Sequence, residues 1–587
     1  MKDRHPLFRI VLTVTGSTAE GASSASLHKT RLCRLAILTA GRRAATDRMS
    51  ECSFMISGDW IHDRTLLDAI PRHLAARPDK IAYRCESSAL SFADFDRESS
   101  RIANALSAAG IGRGDRVGCL TRRHIECLLL TIGACKIGAV CAPINWRLAP
   151  AEVEYIVQHS QCRVLMVDES FIDQFRGAVH WTSDAPRPLI LCTETDLPGF
   201  PGFDDWRRAH DEFYEPVAIT EDDAALQLYS SGTTGRAKGI VLSHKGLVST
   251  SRVVASEWEF GESGVLGNPL PTFHVAGMTM LFLTLYTGGQ TVAYPEFDPA
   301  AFIDGIGRHG VTHSFLVPAM LLFMLQAPGA GAGDYRTLEL IAYGGSPISE
   351  RVLTDAMGTF GCRFLQVYGL TEVSGPGTFL MPEDHRVDGS AAALLLSAGK
   401  PAPETRLRIV DPVTKQDLPE MQTGEIWIET IRNLKEYWRD VNATHAAFPE
   451  GRNDQGGWFR TGDAGYLKDG YLFINDRIKD MIISGGENIY PAEIENILMH
   501  HPAVFDAAVI GVPDPTWGEA VKACVVLKPG EQADAGEIIQ WLRDRLAHYK
   551  CPKSVDFVTE LPRNPSGKIL KRILREPFWK DKNRSIN

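Results

Sequence analysis

From about residue 60 onward the chain alternates short apolar runs with amphipathic stretches, and few architectures accommodate that rhythm. The runs "DRVGCL", "RVLMVD" and "LILCT" have the length and unbroken apolarity of strands buried on both faces. Interleaved with them, "LLDAIPRHLAARP", "HIECLLLTIGACKIG" and "APAEVEYIVQHS" carry apolar residues at helical spacing. This order continues past residue 360 and predicts an α/β fold of layered β-sheets with helices. After Gly399 the spacing changes. "TRLRIVDP", "GEIWIET" and "GYLFIND" are alternating strands split by turn residues, which predicts an antiparallel sheet or a small β-barrel-like part. A second boundary falls at "DRIKD" (Asp476 to Asp480). Beyond it, "YPAEIENILMHHPAV" starts a helix with Pro491 suited to its first turn. The strands "DAAVIGV" and "KACVVLK" and the helix "AGEIIQWLRDRLAHY" follow. The expected division is a large N-terminal domain at 57–478 and a smaller α+β domain at 479–587.

Composition narrows the class. A chain of 587 residues exceeds what one hydrophobic core serves. The net charge of -10 argues against a nucleic-acid binder held by electrostatics. Twelve cysteines without a CxxC pair indicate neither a zinc site nor a disulfide framework, and fit a reducing, cytoplasmic setting. The most apolar stretch, Val275 to Tyr286, falls short of the roughly 20 residues a membrane span needs. Peripheral membrane contact and a dimer stay open. The first 48 residues hold nine Lys/Arg against three Asp/Glu, a transit-peptide-like balance. An upstream start codon, with Met49 or Met55 opening the folded protein, is the preferred reading. Residues 1–56 are therefore set aside as an extension.

The chemistry first shows at "YSSGTTGRAKG" (Tyr229 to Gly239). Gly232, Gly235 and Gly239 permit close backbone approach to a ligand. Ser230, Ser231, Thr233 and Thr234 add hydroxyls, and Lys238 adds a charge, so the stretch suits an anion. It is not a Walker A loop, because its glycines are too close and its lysine precedes a glycine. Alone it could equally be a plain surface loop. Five further stretches decide: "YGGSP" (Tyr343 to Pro347), "QVYGLTE" (Gln366 to Glu372), "WFRTGD" (Trp458 to Asp463), "DRIKDMIISGGENIYPAEIE" (Asp476 to Glu495) and "NPSGKILKR" (Asn564 to Arg572). In order and spacing they resemble the adenylate-forming superfamily of acyl-CoA synthetases, peptide-synthetase adenylation domains and luciferases, over roughly residues 60 to 575.

The resemblance implies ATP, Mg²⁺ and coenzyme A as reactants or cofactors, and a carboxylic acid as substrate. It assigns the loop residues Ser230, Ser231, Gly232, Thr233, Thr234, Gly235 and Lys238 to the β- and γ-phosphates. Thr371 corresponds to the α-phosphate contact and Glu372 to the Mg²⁺ ligand. Tyr368, with Gly369 beside it, matches the adenine-stacking aromatic, next to the backbone of Gly344, Gly345 and Ser346. Asp463 matches the ribose carboxylate, helped by Arg477. Lys568 matches the mobile catalytic lysine, and Lys479 the hinge about which the C-terminal domain turns.

"PTFHVAG" (Pro271 to Gly277) resembles the acyl-pocket motif of fatty-acyl and aryl-CoA ligases, with Phe273, His274 and Val275 lining the pocket. His274 reads as a channel residue and not as a base. Gly485 and Gly486 would admit a pantetheine arm, while Trp517, Tyr549 and Lys553 lie where the CoA nucleotide binds. Cys551 stands where some relatives keep arginine. The expected enzyme is an AMP-forming acyl-CoA ligase of the FadD type, acting on a medium- or long-chain fatty acid. Aryl or sterol-side-chain acids, and loading of a carrier protein, are the alternatives.

Overall fold

The computed structural model describes residues 62–85, 88–175, 187–194, 197–230, 237–387, 389–485, 487–563 and 569–580, without side-chain detail at 389–392, 479 and 488. The extension set aside at 1–56 lies outside the described residues. Among those described, the strands form four sheets. A seven-stranded sheet carries the parallel strands Arg116–Leu120, Val140–Pro143, Cys162–Val167 and Leu189–Cys192. Ala224–Ser230 joins it in parallel, and Lys238–Ser243 returns antiparallel to that strand. A nine-stranded sheet has a parallel centre, from Gln290–Ala293 and Val265–Asn268 through His313–Leu316 and Leu340–Gly344 to Arg363–Leu370. Gly375–Leu380 pairs antiparallel at one side of it.

The helices His124–Lys136 and His244–Glu257 touch strands of both large sheets, and Val275–Thr287 touches the nine-stranded one; His124–Lys136 and Val275–Thr287 are buried on nearly every side and are apolar nearly all round to match. A helix with water on one side would need a polar face. Sandwiched ones need none. Local signals set the ends of other helices. Ser91 and Asp94 form a reciprocal capping box at the start of Phe92–Ala108, and Pro150 occupies the first position of Pro150–Ser160.

The small β part is a four-stranded antiparallel sheet: Thr405–Val410, Gly424–Thr430, Trp458–Lys468 and Tyr471–Arg477. A short turn at Ile478–Asp480 leads to the fourth sheet, built on Val504–Asp514 and Gly518–Leu527 with Ile482–Ser484, Glu487–Ile489 and Ser554–Phe557. The helix Pro491–Leu498 packs there as expected. The helix expected through "AGEIIQWLRDRLAHY" stops at Arg543. The chain turns at Ala547 and buries Cys551 in the core shared by Ile538 and Leu542. The smaller C-terminal domain thus has its own core.

Candidate active site

Tyr368 sits on the strand Arg363–Leu370, and Gly344 pairs across the ladder with Val367, one residue away. A tight reversal follows. Thr371–Val373 is a single 3-10 turn, Thr371 O accepts from Ser374 N, and Ser374 takes the left-handed region at φ 57°. The returning strand comes so close that a Cβ on Gly369 would lie 1.9 Å from Gly375 O, so only glycine fits. This reversal carries Glu372 to within electrostatic reach of Arg477 and Asp463.

The four-stranded sheet supplies the other half. Asp463 and Arg477 are direct partners on neighbouring antiparallel strands, and Arg477 Nε lies 3.3 Å from Asp463 Oδ1. The Tyr368 hydroxyl donates to Asp463 Oδ2 at 2.7 Å, closing the gap between the sheets. Asp463 holds the Arg477 guanidinium above its ordinary pKa. Burial, then the Asp463 carboxylate, pushes the Tyr368 phenol well above its own. A tyrosine and an arginine from two motifs are thus drawn onto the carboxylate of a third.

Glu372 is half-buried, and burial raises its carboxyl pKa from the ordinary 4.5. The Tyr437 hydroxyl donates to its Oε1 at 3.2 Å. A low-lying carboxylate with one neutral hydroxyl donor suits a hard divalent cation. Tyr437 also sits under Lys238, whose Nζ lies 5.1 Å from the ring centroid. The short strand Glu436–Tyr437 pairs with Lys238–Ser243, placing tyrosine and lysine together. Sequence reasoning missed Tyr437. Its only signal is the aromatic pair in "EYW", and its partner Glu372 is 65 positions away.

Ser230 pairs with Lys238 where the two strands meet, so both ends of the glycine-rich stretch are placed. Ser231, Gly232, Thr233, Thr234 and Gly235 lie outside the described residues, as do Gly486 and Lys568; of Lys479 only the backbone turn is described. Gly345 and Ser346 follow the strand end at Gly344. The motif Phe273-His274-Val275 enters the buried helix Val275–Thr287, with His274 as N-cap. Phe273 meets the Trp146 ring edge-on at 6.1 Å and the His274 ring at 4.6 Å. Trp146 was not among the expected pocket residues.

On the C-terminal domain, Gly485 adopts φ 62° and donates its N–H to Trp517 O at 2.8 Å. The indole covers this turn, since a Cβ there would lie 2.8 Å from the ring, yet Trp517 remains 51% exposed. Asp514 accepts from the backbone N–H groups of Trp517 and Thr516; these bonds, with Lys553 nearby, lower its pKa. Gly485, Trp517 and Lys553 therefore share one neighbourhood. Tyr549 is exposed on the separate 3-10 turn His548–Lys550. Cys551 is buried and faces the core, so it takes no surface role.

The nine-stranded sheet and the small antiparallel sheet thus meet at one cluster, Tyr368 on the first and Asp463 and Arg477 on the second. The pattern described as "AMP-binding enzyme" matches residues 70–438, and "AMP-binding enzyme C-terminal domain" matches residues 493–568. The chain is 39% identical to the fatty acid–[acyl-carrier-protein] ligase ScoC of Streptomyces coeruleorubidus, over 89% of this chain and 98% of that protein. It is 37% identical to the long-chain-fatty-acid–CoA ligase FadD13 of Mycobacterium tuberculosis, over 83% and 93% respectively. The ATP-bound crystal structure of MatB from Rhodopseudomonas palustris superposes with a TM-score of 0.80 at 32% identity, over 88% of this chain and 99% of that one. The chain belongs to the AMP-binding enzyme family, within the adenylate-forming superfamily. It is an AMP-forming acid–thiol ligase.

Proposed function

We propose that the protein activates a medium- or long-chain fatty acid with ATP and passes the acyl group to coenzyme A. A carboxylate is a poor electrophile, so its oxygen first attacks the α-phosphorus of ATP and pyrophosphate leaves. The thiol sulfur then attacks the acyl carbon, and AMP leaves. Positioning and charge neutralisation dominate such chemistry, because anions must be brought together.

The convergence of Tyr368, Arg477 and Asp463 beside Glu372 carries this reading. In it the Tyr368 ring stacks on adenine, with Gly344, Gly345 and Ser346 along the edge of the base and Gly369 beside it. Asp463 accepts from the ribose hydroxyls and is held by Arg477. Thr371 contacts the α-phosphate. The stretch from Ser230 to Lys238 holds the outer phosphates. Glu372 would hold Mg²⁺, which supplies charge neutralisation. Among the described residues no cluster of three metal-ligating side chains stands there. Lys568 attends the reacting carboxylate and α-phosphate.

The acid occupies the pocket at Phe273, His274 and Val275. Domains 57–478 and 479–587 turn about Lys479, exchanging Lys568 for the turn at Gly485 and Gly486. The exposed indole of Trp517, with Lys553 and Tyr549, receives CoA. We place the reaction in the cytoplasm.

One observation favours a second acceptor: ScoC, a relative spanning nearly its whole length, is a carrier-protein ligase. An AMP-release assay over a panel of acids, with CoA, with a phosphopantetheinylated carrier protein, or with neither, tests both. AMP release with long-chain acids that requires CoA supports the proposal. Turnover only with the carrier overturns its second half, and no release with any acid overturns all of it.

A further inference from the structure

We propose that the helix Pro150–Ser160 braces both ends of the phosphate loop, with His159 as its principal positioning residue. The loop leaves one strand at Tyr229–Ser230 and enters the next at Ala237–Lys238. On this helix, Tyr155 donates its hydroxyl hydrogen to Ala237 O at 3.2 Å. One turn later on the same face, His159 Nδ1 lies 3.0 Å from the Tyr229 hydroxyl oxygen. The two helix rings stack with centroids 5.3 Å apart. One rigid element therefore grips the residue before the loop and the residue that closes it.

Gln227 Nε2 donates to the Tyr229 hydroxyl at 2.9 Å, and the Tyr229 hydrogen suits an unprotonated His159 Nδ1 as its acceptor. Burial, with Arg439 nearby, keeps the His159 pKa below its ordinary value and agrees with a neutral ring. The helix end is anchored in turn: Trp438 Nε1 donates to His159 O at 3.0 Å, while Trp438 N donates to Gly239 O at 2.7 Å. Trp438 thus links a C-terminal helix carbonyl, which lacks an intrahelical donor, to the strand that leaves the loop.

A leaving-group clamp needs this kind of support, since a displacement of about 1 Å can cost on the order of 100-fold in rate. The inference rests on the ATP-ligase reading above. The test is pyrophosphate exchange with the full-length protein carrying His159→Ala, Tyr155→Phe or His159→Asn, the last keeping a side-chain acceptor near the Nδ1 position. His159→Ala and Tyr155→Phe are expected to raise the KM for ATP about tenfold. They should leave the KM for the acid, and thioester formation from supplied acyl-adenylate, unchanged. His159→Asn should recover most of the ATP affinity. Unchanged ATP KM in both weakened variants overturns the brace. Equal loss in both half-reactions, or a lowered Tm without a KM change, assigns the helix to packing and overturns it too. Absence of exchange in the unaltered protein would instead sink the ligase reading itself.

Discussion

Glu372 is the residue whose environment makes the sharpest demand. Its folded pKa lies above 4.5, so its charge appears later on raising the pH than that of a free glutamate. The pH dependence of kcat/KM for Mg-ATP reports free-enzyme groups, and should rise along a limb centred above 4.5. Glu372→Gln should lose on the order of 100-fold in exchange and flatten that limb; a limb unmoved by the substitution would contradict the assignment. Lys568, named from "PSGK" alone, calls for a different measurement. Lys568→Ala should abolish exchange yet spare thioester formation from supplied acyl-adenylate, because a cation at the reacting oxygens matters only while charge builds there. Equal loss of both steps would remove it from that role.

At the scale of elements, the last described helix, Lys571–Trp579, holds the chain around the turn Ile478–Asp480. Lys571 Nζ lies 2.9 Å from Glu495 and 3.3 Å from Asp476, and Arg575 lies 2.9 Å from Asp480. Asp476 also accepts from Ala492 N at 3.2 Å. On the hinge proposed at Lys479, Asp476 belongs to one side and Ala492, Glu495 and Lys571 to the other, so a turn there breaks the contacts of Asp476 and keeps that of Lys571 with Glu495. Asp476→Asn should change the rate of one half-reaction relative to the other at least threefold; equal scaling of both would argue against a latch. Glu495→Gln should cost stability, about 3 kcal/mol by the usual penalty for stripping a partner from a buried ion pair.

None of this latch was legible in the sequence, where Lys571 looks like one more charge in a basic tail. The strands and most helices were legible because their periodicity and caps are local. "DRVGCL" and "APAEVEYIVQHS" announce themselves within a dozen residues. Tyr368 and Asp463 were legible through their motifs. Tyr437, Trp146 and His159 were not, because each acts through a partner distant in the chain. The early end of the helix at Arg543 followed from a core contact of Cys551 that no spacing could announce.

The whole molecule carries a built-in acid sensitivity. His73, His124, His244 and His313 are buried, and burial depresses each pKa from 6.5 to about 4. A depressed folded pKa means that the unfolded chain binds the extra proton. Stability from these four groups is thus complete above 6.5 and falls as the pH drops toward 4, where the unfolded state holds up to four more protons. Tm measured from pH 7.5 to 4.5 should fall with a steepening slope below about 6.5, and His313→Gln should shallow it. A flat profile would mean that the imidazoles are charged in the fold.

Arg432 ties the two sheets of the site together. Its guanidinium is fully buried and donates to Pro376 O, Pro403 O and the Thr405 hydroxyl, spanning the returning strand of the nine-stranded sheet and the first strand of the small one. Prising those sheets apart would strand a cation in a dry seam, at a cost of several kcal/mol. Tyr368 and Asp463, one on each sheet, are held at a fixed separation by the same seam. The two halves of this cluster therefore do not breathe against each other, and any opening beside Tyr368 and Asp463 must come from elements outside the seam.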